Sequence, residues 1–186
     1  MKSGKRTANY PMGSVSCATM REEDLIPTFC YELQGLARQT GILPAKSRRQ
    51  HAKLAREIER RIELRGETED DAEIGYYESE DAEYDLESLC DALGEYAAPY
   101  FYFGAHPGDG SDYGFWLSEE WDEEFSVPTF VNGGNVWDFD VENIKVSDLS
   151  EVPVWFRGEV AVVNDHGNVT LYFKTSRTLR EIWAIV

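Results

Sequence analysis

The residues best suited to chemistry lie in "YFYFGAHPGDGSDYGFW", residues 100–116, which holds His106, Asp109 and Asp112. Together with Asp165 and His166 of "NDHGN" they would form a hard-metal or acid/base cluster if the two segments met at one end of a sheet. That defines one reading, a metal-dependent enzyme built on His106, Asp109, Asp112, Asp165 and His166. A calcium loop can also be laid on the stretch, with Asp109 first, Ser111 third and Glu120 last. It fails at Tyr113, which stands where a compact carboxylate or amide oxygen is needed. The flanks are strand-like as well, where that motif needs helices. Glycine supplies positive φ, and Asp or Asn side chains bond to nearby backbone, so a tight turn demands these same residues. Both stretches therefore read as turns. No nucleophile elbow, P-loop or H-E-x-x-H occurs, and neither an enzyme nor a metal or cofactor is expected.

Carboxylates elsewhere carry a different signal. The chain of 186 residues has a net charge of −17, and that charge is segregated. Residues 1–66 carry 13 bases and 7 acids, whereas residues 67–156 carry 25 acids and one base, Lys145. Acids run through "ETEDDAE" and "ESEDAEYD" and are interleaved with aromatics in "SEEWDEEF". A folded surface of this kind repels nucleic acid and attracts basic surfaces. The candidate partner-binding acids are Glu67, Glu69, Asp70, Asp71, Glu73, Glu78, Glu80, Asp81, Glu83 and Asp85, followed by Glu119, Glu120, Asp122, Glu123 and Glu124. Tyr113, Trp116 and Trp121 are the candidate aromatic anchors among them.

The elements that must position these residues follow from periodicity. "REEDLIPTFCYELQGLARQTG" places Leu25, Phe29, Leu33 and Leu36 on one helical face, with three acids at the positive end of its dipole. A second helix, "AKSRRQHAKLAREIERRIELRG", has only a narrow apolar stripe, Leu54, Ile58 and Ile62, and is crowded with arginine. Arg48, Arg49, Arg56 or Arg60 is expected to face acids of residues 67–95 or of a second subunit. A third helix over "DAEYDLESLCDALGEYAAP" keeps Ala82, Leu86, Leu89, Cys90, Leu93 and Ala97 in register. From residue 100 the period becomes two, with hairpin signals at "HPGDGSD" and "NGGN" and a closing meander "GEVAVV", "VTLYFK", "LREIWAIV". The expected fold is α+β: an antiparallel β-sheet over residues 100–186 with the N-terminal helices packed on one face. Residues 1–19 are expected to be a flexible tail, 20–66 a helical segment, 67–81 an acidic linker and 82–186 the α+β core.

Cys17, Cys30 and Cys90 are odd in number and lack metal-site spacing, which fits reduced thiols. With no apolar leader and no run long enough to span a bilayer, a cytoplasmic setting without membrane contact is expected. "YFYFGAHPGDGSDYGFW", "NDHGNVTLY" and the terminal "IWAIV" resemble a pattern in uncharacterised small bacterial proteins, some carried on plasmids and phages. The resemblance covers roughly residues 84–186. It implies a bacterial or mobile-element setting and brings no established reaction and no catalytic residue. In that setting the charge points to an inhibitor that occupies the DNA groove of a host enzyme, as antirestriction and anti-CRISPR proteins do. The expected partner is a protein with a basic nucleic-acid-binding surface. No direct nucleic-acid binding is expected, and a homodimer is compatible with the charge pattern. An immunity or adaptor protein that binds its partner by shape is the alternative of a second class.

Overall fold

The computed structural model of the chain describes residues 9–66, 75–131, 134–136 and 141–185. The fold is α+β, as expected, and divides into two compact units that meet in sequence at Ser118 and Glu119.

The first unit contains β1 (Gly13–Ser16), α1 (Glu22–Arg38), α2 (Ala45–Gly66), α3 (Glu80–Gly94), β2 (Phe101–His106) and β3 (Asp109–Leu117). Helix α1 is its centre. Leu25, Phe29, Leu33 and Leu36 are buried as the spacing predicts, joined by Ile26 and Cys30. Pro27 is the sixth helical residue, one turn deeper than its chemistry favours, but it lies on the exposed side. Among the described side chains α2 buries His51, Ala55 and Ile58, and α3 buries Ala82, Asp85, Leu89, Ala92 and Leu93.

The three strands pair antiparallel in the order β1-β3-β2, and the helices cover one face. The Phe29 ring meets Phe103 edge-on at 5.0 Å and Tyr113 at 5.7 Å, while Phe103 packs on Phe115 at 4.9 Å. Strand β1 lies within the span expected as a flexible tail. Its docking depends on Gly114, because a Cβ there would stand 2.2 Å from the Gly13 carbonyl oxygen. Two backbones approach where no side chain intervenes.

The second unit contains the hairpin of β4 (Thr129–Val131) and β5 (Gly134–Val136) and a four-stranded sheet. That sheet runs β6 (Asn143–Val146), β7 (Gly158–Val163), β8 (Val169–Lys174) and β9 (Leu179–Ile185) in spatial order. The meander β7-β8-β9 is antiparallel as read from its turns, whereas β6 pairs parallel to β7. The strands are thus distributed over three sheets, one of them mixed, in place of one antiparallel sheet. The parallel pair needs a crossover, which residues 147–157 provide with a single 3-10 turn, Leu149–Glu151. Ile144, Val146, Phe156 and Val160 form the core beneath it.

Candidate functional site

Helix α3 carries the best-defined acidic surface. Its buried stripe faces α1, which leaves Glu80, Glu83, Glu87 and Asp91 on the outer face together with Tyr84, 68% exposed. Asp81 flanks this row, and Glu95 continues it beyond the last turn. The residues read from the sequence include Glu80, Asp81 and Glu83, all exposed, and Glu78 in the preceding 3-10 turn, also exposed. They stop short of Glu87, Asp91 and Glu95. The signal for those three was the i, i+4 spacing that already predicted the helix.

Asp85 corrects the proposed acidic surface. It is 1% exposed, and its carboxylate is taken up inside the unit by Arg61 Nη2 at 2.5 Å and by the Tyr76 hydroxyl at 2.8 Å. Burial, and then the bond to Asp85, pushes the Tyr76 phenol far above its ordinary range. Burial also pushes the Cys30 thiol up to about 12, with Glu59 and Asp85 adding to the effect, so Cys30 is an inert core residue.

Among the described residues the basic helix meets the acids of α3 through Arg61; for Arg48, Arg49, Arg56 and Arg60, the acids expected within 67–74 lie outside the described residues. Arg48 donates to the Ala37 carbonyl at 3.2 Å. Further along, His51 reaches the Tyr96 hydroxyl at 3.2 Å and lies 3.6 Å from the Glu95 carboxylate. The pairs Arg61–Asp85 and His51–Glu95 run in opposite directions along the two helices, so α2 and α3 are antiparallel neighbours.

The remaining candidates divide between the units. Glu67, Glu69, Asp70, Asp71 and Glu73 lie outside the described residues. Glu119, Glu120, Glu123 and Glu124 are exposed in the turn that opens the second unit. Asp122 in that turn accepts from Lys145 Nζ at 2.6 Å, and this bond holds its carboxyl below the usual range. Its charge is therefore partly compensated. Trp121 is half-buried against Phe125. Tyr113 is corrected as an anchor, because its ring packs under α1 against Phe29. Trp116 lies on the sheet face away from the helices, and its Nε1 donates to the Gly104 carbonyl at 3.0 Å.

The residues of the metal-cluster reading divide between the units, His106, Asp109 and Asp112 in the first and Asp165 and His166 in the second. His106 Nδ1 accepts from the Gly108 N–H at 3.0 Å, and the imidazole packs edge-on to Trp116 at 4.6 Å. Asp109 accepts from the Ser111 backbone and hydroxyl, and Asp112 accepts from the Ser14 hydroxyl. In the other unit, Asn164 Oδ1 closes the "NDHGN" turn by accepting from His166 N and Asn168 N. His106, Asp109 and Asn164 thus serve their own turns, and Asp112 ties β3 to β1. Among the described residues no group of three or more His, Cys, Asp or Glu is placed to hold a metal ion.

Fold and surface together define an α+β protein whose first unit presents a carboxylate-lined helix. Comparison with protein-family models, with curated proteins and with solved structures finds no match to the chain. Among the described residues no helix is long and apolar enough to cross a membrane.

Proposed function

We propose that the chain is an acidic inhibitor that binds another protein and competes with nucleic acid for its basic site. The observation that carries this reading is the outer face of α3. Six exposed acids, from Glu80 to Glu95, line it without an intervening base. At about 1.5 Å of rise per residue the acids of the row, Glu80, Glu83, Glu87, Asp91 and Glu95, stand about 4.5–6 Å apart, a line of charge of the same order as the ~3.4 Å spacing along one DNA strand. Tyr84 stands in the row as an exposed aromatic that can anchor in a partner's groove. The mobile-element setting implied by the resemblance favours a DNA-acting defence enzyme, such as a restriction or RNA-guided nuclease, as the target.

Beyond the first turn, where Glu80 and Glu83 suit the dipole, the row works against the helix. Glu83, Glu87 and Asp91 are like charges at i, i+4, each pair costing about 0.2–0.5 kcal/mol. Asp91 also sits in the last turn, which has no basic residue, where the dipole disfavours an anion by about 0.3–1 kcal/mol. A combined Glu87→Gln, Asp91→Asn variant removes both repulsive pairs, keeps Glu83 in the first turn where the dipole favours it, and is expected to be more stable than the parent by about 1 kcal/mol. The same variant is expected to lose at least about tenfold in inhibition of the target nuclease. Thermal unfolding and a competition assay on one preparation read both effects. Unchanged inhibition by the stabilised variant would mean that shape, not charge, makes the contact.

A further inference from the structure

A cleft of about 750 Å³ opens at one end of the mixed sheet, within the second unit. Its walls include Arg157, Lys174 and Phe173. Arg157 Nη1 donates to the carbonyls of Val154 and Phe156 at 2.8 and 2.5 Å. Lys174 Nζ donates to the same two carbonyls, each at 2.9 Å. Two cations are thus fixed side by side on one pair of backbone oxygens. Among the described residues the Arg157 fork keeps Nη2 and Nε for a ligand, and the Lys174 ammonium keeps one of its three donors.

Neither cation makes an ion pair with a described carboxylate, in a chain that carries 35 acids against 18 bases. Their proximity has a cost: burial first, and then Arg157, holds the Lys174 ammonium below its ordinary range. An anion set between them would relieve that repulsion, and the arginine fork matches the two oxygens of a carboxylate. The Phe173 ring, 41% exposed, supplies an apolar wall beside the charges. Glu142 and Glu159 line the same cleft, so a second negative charge on the ligand would be repelled. The volume lies within the ordinary range for small-molecule sites.

We infer that this cleft binds a small organic acid, with a single carboxylate held between Arg157 and Lys174 and an apolar body against Phe173. No residue of the acidic helix is among those that line it. The test is an NMR titration of the full chain at low salt with benzoate, with benzyl alcohol as its neutral counterpart, and with inorganic phosphate. Benzoate is expected to give saturable shifts at Arg157 Nε and Phe173, half-saturating near ~1 mM as suits a ligand of that size. Benzyl alcohol and phosphate are expected to bind at least about tenfold more weakly. Arg157→Gln, which keeps a donor for the two carbonyls, should weaken benzoate at least about tenfold, and Arg157→Lys should weaken it less. The inference is overturned if benzyl alcohol matches benzoate, if phosphate binds more tightly, or if Arg157→Gln leaves benzoate affinity unchanged.

Discussion

Arg61→Met is expected to destabilise the first unit by about 3 kcal/mol, because it strands a buried carboxylate. Asp85 is 1% exposed, and without the guanidinium its only described partner is the Tyr76 hydroxyl. Methionine retains most of the apolar stem of arginine, so lost packing contributes little. The reverse substitution is expected to cost less. Asp85→Asn leaves a neutral acceptor for Tyr76, and the Arg61 side chain, 45% exposed, can return to water. About 1–2 kcal/mol is expected for that change. Urea unfolding of the two variants measures this asymmetry. Equal losses, or an Arg61→Met variant within about 0.5 kcal/mol of the parent, would contradict the assignment of a buried ion pair. The pair ties the C-terminal part of α2 to α3 and so fixes the helix that carries the acidic row.

In the second unit Gly158→Ala is expected to open the parallel pair β6–β7 at a cost of about 3 kcal/mol or more. Gly158 has φ +135°, a region that residues with a Cβ rarely adopt, and an added Cβ would stand 1.9 Å from the Glu142 carbonyl oxygen. That oxygen accepts from Glu159 N at 3.0 Å, so relieving the clash removes a bond that starts the pairing. Accelerated amide exchange over Asn143–Val146 is the expected signature. Gly110→Ala is the matched control, because a Cβ there meets nothing within 4 Å. Exchange in β6 that is no faster in Gly158→Ala than in the control would contradict the close approach.

Both sites lie where the sequence was hardest to read. All three long helices were readable from the 3.6-residue period, since their stripes are local, and α2 and α3 end at glycine. The hairpins β2–β3, β4–β5 and β7–β8 were readable from turn residues for the same reason. The parallel strand β6 was not: "NIKV" is four residues long, and its partner begins only after an eleven-residue crossover. The docking of β1 was equally hidden, because it depends on a glycine in β3 almost a hundred residues away.

For the candidate site, charge misled where spacing would have served. Asp85 falls three residues after Ala82 and four before Leu89, on the stripe that goes inside. Periodicity alone placed it in the core, and Arg61 is the partner that makes the placement tolerable. Tyr113 follows the same logic in a strand, alternating with Gly114 and sharing a face with Phe115 toward α1. Glu87 and Asp91, by contrast, continue the outer face from Glu83 at helical spacing.

The most direct test of the central claim is displacement of labelled duplex DNA from a panel of restriction and RNA-guided nucleases by the full chain, followed by fluorescence anisotropy. At about 50 mM salt the chain is expected to release the DNA of its target, with an apparent affinity that falls steeply by about 300 mM. If every nuclease in the panel keeps its DNA at saturating chain and low salt, or if release is insensitive to salt, competition through the acidic face of α3 is wrong.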